Sequence, residues 1–183
     1  MSWENDPREF EAWLTNTGAG AGPEERKRRA AEMYGIWRDG VESAIRSAPN
    51  TLFVCSAGNS NHDAAFSEDV PASLHLPNLI SVGAVHRAGR ETDITSYGDT
   101  VVVQADGDGV ESHVPGGSKL KKSGTSMASP NVANLAAKLI ALDPSLTPEQ
   151  VIELIRKGAT ASADRRLHLI DPKASIALLQ AKK

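Results

Sequence analysis

Ser126 stands in the run Ser123-Gly124-Thr125-Ser126-Met127-Ala128-Ser129-Pro130, small residues that lead into an apolar helical pattern. Backbone N–H groups at a helix start lack intrahelical partners, and the helix dipole is positive there. A negative charge developing on an oxygen beside Ser126 would therefore be stabilised. Pro130, expected in the first turn, would cost little, because its missing N–H has no bond to lose. Such a site calls for a second donor from elsewhere in the chain. Asn59 fits that role. It closes Ser56-Ala57-Gly58-Asn59 just after the apolar run Leu52-Phe53-Val54-Cys55, which puts it at the carboxyl end of a strand, where open α/β sheets bind ligands. Its side-chain amide can donate. Taken singly, a serine at a helix start is an ordinary N-cap and an asparagine after a strand an ordinary turn residue. The two together describe a nucleophile with an oxyanion site.

The elements that must hold these residues follow from apolar periodicity. Asp6-Pro7-Arg8-Glu9 offers a helix start, followed by Phe10, Trp13 and Leu14 on one face. Pro23 opens a longer helix in which Met33, Trp37, Val41 and Ile45 recur every four residues. Its charged run, Glu24 to Arg29, is expected to be a solvated face, with Glu24 pairing Arg28 and Glu25 pairing Arg29. Gly18, Gly20 and Gly22 do not make a dinucleotide loop, because the third glycine of that motif would fall on Pro23 and no strand precedes the cluster. From position 51 the pattern changes to short continuous apolar runs at Leu52–Cys55, Leu79–Val82 and Val101–Val103. Continuous apolarity predicts buried strands of a parallel sheet covered on both faces. Gly124 to Leu142 reads as a deeply buried helix, Thr147-Pro148-Glu149-Gln150 as the cap of another, and Asp171-Pro172 as the start of the last. The expected fold is α/β, a layered parallel sheet with helices on both faces.

Composition adds limits rather than a direction. The 183 residues are 40% apolar and 23% charged, with a formal net charge of −3, ordinary globular usage that gives no reason to expect nucleic acid as a partner. No apolar run is long enough to expect a membrane partner. The single cysteine, Cys55, excludes an internal disulfide framework and leaves the compartment open. No H-E-x-x-H, paired-cysteine or EF-hand spacing occurs, so neither a metal nor a cofactor is expected. Asp106-Gly107-Asp108-Gly109 holds too few ligands for calcium and reads as a turn.

In this order, A-G-N at Ala57–Asn59 and G-T-S-M-A-S-P at Gly124–Pro130 resemble the oxyanion and nucleophile motifs of the subtilase family of serine proteases. Val70-Pro71-Ala72 through Leu79–Val85 resembles the segment that passes that family's substrate pocket, and Thr95-Ser96-Tyr97-Gly98 resembles its F-S-x-x-G turn. The resemblance covers about residues 50–160. It implies that Ser126 attacks a peptide or protein substrate, that the Asn59 side chain and the Ser126 N–H hold the oxyanion, and that Ser56, Ala57, Gly58 and Thr125 contact substrate. Met1-Ser2-Trp3 resembles the M-S-x of the strand that walls the substrate groove, which makes Ser2 and Trp3 substrate contacts as well. Asn131 and Asn134 depart from the histidine and glycine of S-P-H-V-A-G, and Asp106 from the proline of A-P-G.

A larger departure concerns the base. The family's order is aspartate, histidine, serine, with the first two upstream of the oxyanion asparagine, whereas His62, His75, His86, His113 and His168 all follow Asn59. No H-G-T, D-T-G or D-S-G occurs. Lys119, Lys121 and Lys122 read as a solvated cluster rather than a serine–lysine pair, and His113 as a surface loop residue. Sedolisins, which share G-T-S, carry an aspartate where this chain has Asn59. Residues 1–183 are thus expected to be the C-terminal part of a single catalytic domain. In it, 1–50 are peripheral helices and 51–183 carry the oxyanion strand, nucleophile helix and C-terminal helices. The sheet is expected to be incomplete on its N-terminal side, with the missing N-terminal part as a partner. The chain alone is then expected to be inactive and poorly soluble or partly molten. The alternative reading is a pseudoprotease or interaction module that retains the fold.

Overall fold

The run Leu79-Ile80-Ser81-Val82-Gly83-Ala84-Val85 forms a strand in which all seven residues are buried, as a central strand with both faces covered must be. The computed structural model describes residues 7–65, 67–162 and 166–181. Within them the chain runs α1 (Pro7–Asn16), α2 (Pro23–Arg46), β1 (Phe53–Ser56), β2 (Leu79–Val85), β3 (Val101–Asp106), β4 (Val110–His113) and β5 (Lys119–Lys122). It continues with α3 (Thr125–Leu142), α4 (Pro148–Gly158), β6 (Thr160–Ala161), β7 (His168–Leu169) and α5 (Pro172–Gln180). The main sheet has the order β1-β2-β3-β7-β6, with β1 at one edge. Its pairs are parallel from β1 to β7, and β6 joins antiparallel.

Side chains leaving the two faces of this sheet build two cores. On one face Ile80, Val82 and Ala84 of β2 meet Val103 and Ala105 of β3. Val132, Leu135 and Leu139 of α3 close over them, with Val151, Leu154 and Ile155 of α4 and Leu179 of α5 behind. On the other face Cys55, Leu79 and Val101 pack with Tyr34 and Ile45 of α2 and with Ala64, Val70, Ala72, Leu74 and Leu76 of the β1–β2 connection. This is the helix–sheet–helix layering that continuous apolar strands predict. Asn78, 3% exposed, spreads its amide N–H groups over the carbonyls of Ile45, Ala48 and Thr51. It thereby fixes the end of α2 to the start of β2.

Several local details differ from the sequence reading. Arg28 pairs with Glu32 rather than Glu24, while Arg29 does reach Glu25 at 3.6 Å. Both glutamates lie one helical turn from Arg28, and spacing alone does not choose between them. Lys119, Lys121 and Lys122 form strand β5 of an antiparallel hairpin with β4, which carries His113, so neither lies in a loop. All four β5 residues are exposed. Pro130 is the sixth residue of α3, not a first-turn residue. It cannot supply the helical N–H to the Ser126 carbonyl, which is four positions before it.

Candidate functional site

The Asn59 and Ser126 segments meet because β1 leads to the start of α3, where Asn59 contacts Thr125, the neighbour of Ser126. Gly124, at φ 152°, turns the chain into the helix, and no side chain of its own caps α3. Asn59 supplies that contact from across the molecule: its Oδ1 accepts the Thr125 N–H at 2.9 Å and lies 3.1 Å from the Thr125 hydroxyl. A backbone N–H can only donate, so the amide oxygen of Asn59 is the atom that faces Thr125. The donating Nδ2 is set on the other side. Met127 and Ala128 direct their N–H groups to the Gly124 carbonyl. Ser126 is half-buried and Asn59 exposed.

The floor of this corner is dense. The Thr125 side chain is fully buried, with its hydroxyl 3.3 Å from both the N–H and the carbonyl of Gly58. Thr125 therefore acts on Asn59 and Gly58. A Cβ at Gly124 would stand 3.2 Å from Asn59 Oδ1, so glycine there allows the close approach of asparagine and helix start. At Gly107 a Cβ would meet the Gly124 carbonyl at 2.7 Å and Ala84 at 2.8 Å. Asp106-Gly107, standing where the family has proline and glycine, thus keeps the small residue that the packing needs. Asn131 uses its amide to donate to the Asp106 carbonyl at 2.9 Å. Ser56 and Ala57 are 5% and 0% exposed, so their side chains form the inner wall of the corner. Ser2 and Trp3 lie outside the described residues.

The neighbouring hydroxyls are engaged. Ser129 donates to the Thr125 carbonyl inside the helix at 2.8 Å, and Ser123 donates to Asp108 Oδ1 at 2.8 Å. Asp108 also accepts from His86 Nδ1 through Oδ2 at 2.8 Å. The His86 bond first, then the Ser123 hydroxyl, holds the Asp108 carboxyl below the usual carboxylate range. His62 lies with Nδ1 3.7 Å from Asp69 and Nε2 3.4 Å from Arg8. A guanidinium only donates, so the ring accepts through Nε2, while Nδ1 is too far from the Asp69 carboxylate for a hydrogen bond. His75, His113 and His168 are exposed. Cys55 is no rival nucleophile: burial pushes its thiol up to about 11, which keeps it protonated. Sequence reasoning missed the bonds of Asp108 and the hydroxyl role of Thr125. Both link residues 15 or more positions apart, for which periodicity carries no signal.

Known proteins resemble this chain in sequence and in fold. The model of the subtilase family matches residues 11–170. Over 104 residues the chain is 46% identical to subtilisin-like protease 7 of Trichophyton equinum, an alignment covering 57% of this chain and 25% of that relative. Over 120 residues it is 32% identical to subtilisin of Bacillus pumilus, covering 66% of this chain and 42% of that one. Among solved structures, a cold-adapted subtilisin-like serine proteinase is similar with a TM-score of 0.63 and 32% identity, over 72% of this chain and 48% of that chain. The self-cleaved protease domain of PatA gives 0.66 and 26%, over 96% and 67%. The matched region thus spans a quarter to under half of the length of these two curated relatives. With the family model covering most of its length, and with the serine and asparagine motifs meeting at one helix start, this chain belongs to the subtilase family.

Proposed function

We propose that this chain carries the nucleophile and oxyanion part of a serine endopeptidase. The Ser126 hydroxyl attacks the carbonyl carbon of a peptide bond. As the oxygen–carbon bond forms, a base takes the serine proton and the carbonyl oxygen becomes an oxyanion. Asn59 Nδ2 and the Ser126 N–H donate to that oxyanion. Collapse breaks the carbon–nitrogen bond, the leaving amine takes the proton from the base, and water then releases the acyl group. The observation that carries this reading is the Thr125 N–H on Asn59 Oδ1, because it fixes which end of the Asn59 amide is the acceptor and which is the donor. A donor fixed before the reaction needs no reorganisation when charge develops.

In this proposal the base and its orienting carboxylate come from a further polypeptide segment. Two features support that. All five histidines follow Asn59 in the chain, whereas the family's histidine precedes its oxyanion asparagine. Among the described residues strand β1, which leads to Asn59, is an edge of the sheet, and an edge strand can accept another strand. The chain by itself then has at most weak peptidase activity, and peptide or protein is its substrate when the site is complete.

A chimera tests this: residues 51–183 placed in frame behind the aspartate- and histidine-bearing portion of the Bacillus pumilus subtilisin. The expected result is hydrolysis of a peptide substrate that Ser126→Ala abolishes. A folded chimera that hydrolyses nothing, or one unaffected by Ser126→Ala, contradicts the proposal and favours the second reading, a non-catalytic module that retains the fold. The absence of any H-G-T, D-T-G or D-S-G run from residues 1–183 is the observation on the side of that second reading.

A further inference from the structure

We propose that Asp108 is a positioning residue for Ser126, a clamp that ties the segment before the nucleophile to the ends of β2 and β3. The inference rests on the reading of Ser126 as nucleophile and adds a residue that neither motif contains. Three chain segments converge on this carboxylate. His86 directly follows β2, Asp108 lies two residues beyond β3, and Ser123 directly follows β5 and stands three residues before Ser126. Both carboxylate oxygens are used, Oδ1 by the Ser123 hydroxyl and Oδ2 by His86 Nδ1, each at 2.8 Å.

Backbone bonds reinforce the same geometry. The Gly109 N–H donates to Ser123 Oγ at 2.9 Å, and the Asp108 N–H donates to Asp106 Oδ1 at 3.2 Å. Gly107 donates to the Val85 carbonyl at 3.0 Å and accepts the Gly124 N–H at 2.8 Å. The 106–109 turn is therefore fastened to β2 on one side and to Ser123-Gly124 on the other. A shift of Gly124 would carry Thr125 with it, and the Thr125 N–H is what holds Asn59 Oδ1. Through two adjoining bonds Asp108 thus sets the placement of both the candidate nucleophile and the oxyanion amide. Asp108 and Ser123 lie at the surface, so these bonds bury almost no apolar area. Their contribution is mainly local order, with only a small share in global stability.

Hydrogen exchange read by mass spectrometry on the full 183-residue chain tests the clamp. In Asp108→Ala and in Ser123→Ala, exchange across residues 123–127 is expected to rise about 10-fold, with residues 135–142 at the other end of α3 unchanged. Asp108→Asn is expected to restore it to within about 3-fold, because an amide oxygen accepts from Ser123 and an amide N–H can donate to the other tautomer of His86. Unchanged exchange in Asp108→Ala, a uniform rise along all of α3, or no rescue by asparagine overturns the proposal. So does uniformly fast exchange in the unsubstituted chain. Exchange needs no substrate or base, so failure of the clamp is separable from failure of the peptidase reading.

Discussion

Helices α2 and α3 are both long, yet they occupy opposite situations. The 18 residues of α3 include seven buried ones, among them Val132, Leu135 and Leu139, and its first turn is bonded to a distant asparagine. The 24 residues of α2 include three buried ones, Ala30, Tyr34 and Ile45, while Ile36 stands 76% exposed. Its surface carries ion pairs such as Arg46–Glu42 at 2.7 Å. The difference teaches where order at the candidate site comes from. A helix packed between sheet and other helices gives its N-terminus a rigid support, on which contacts such as the Thr125–Asn59 bond then act. A lateral helix covers the sheet and can vary without moving the site.

The largest expected effect lies at the junction of α3 with β1. In a catalytically complete version, Asn59→Ala should lower turnover by about 100- to 1000-fold with a much smaller change in Michaelis constant, because the donor acts on charge present only in the transition state. A loss confined to the Michaelis constant would make Asn59 a substrate-binding residue only. Next comes packing. Leu135→Ala, at a site 1% exposed, should cost about 2–5 kcal/mol in denaturant unfolding. Ile36→Ala should stay within about 0.5 kcal/mol. Equal costs would erase the distinction between the helices.

A smaller effect is expected where α4 begins. Thr147 accepts the Gln150 N–H while Gln150 returns its side-chain oxygen to the Thr147 N–H, and Thr147→Ala should cost about 1 kcal/mol. The smallest effect is electrostatic. The folded-state pKa of Asp108 is depressed, so its contribution to stability is present above the ordinary carboxylate pKa, about 3.9. It is lost as pH falls through the depressed value. The stability difference between the protein and Asp108→Asn should therefore shrink in urea titrations as the pH is lowered below about 4. A difference that grows on acidification would mean that the carboxylate is not what Asp108 contributes.

What was legible in the sequence follows the same division. Apolar runs located β1, β2 and β3, and Thr147 and Asp171 marked helix starts that the structure caps with their side chains. Motif residues 59 and 126 were separated by chain but joined by the rule that α/β sites gather at the carboxyl ends of strands. The β4–β5 hairpin was hidden because Glu111-Ser112-His113 and Lys119–Lys122 lack apolar alternation, and backbone pairing together with the Lys119–Glu111 ion pair holds them together. Ala30 and Tyr34 fell outside the four-residue repeat chosen for α2. Tyr34 is buried because its hydroxyl finds the Glu68 carbonyl at 2.6 Å, a partner that no local pattern announces. The Asp108 bonds were hidden for the same reason.

The central claim is that Ser126, alone among the serines of its segment, is the nucleophile. The most direct measurement is covalent labelling by a fluorophosphonate probe in the chimera, with the modified peptide located by mass spectrometry. Labelling is expected on Ser126, lost in Ser126→Ala, and retained in Ser129→Ala, whose hydroxyl is bonded inside the helix. Equal labelling of the Ser126→Ala protein would contradict the account.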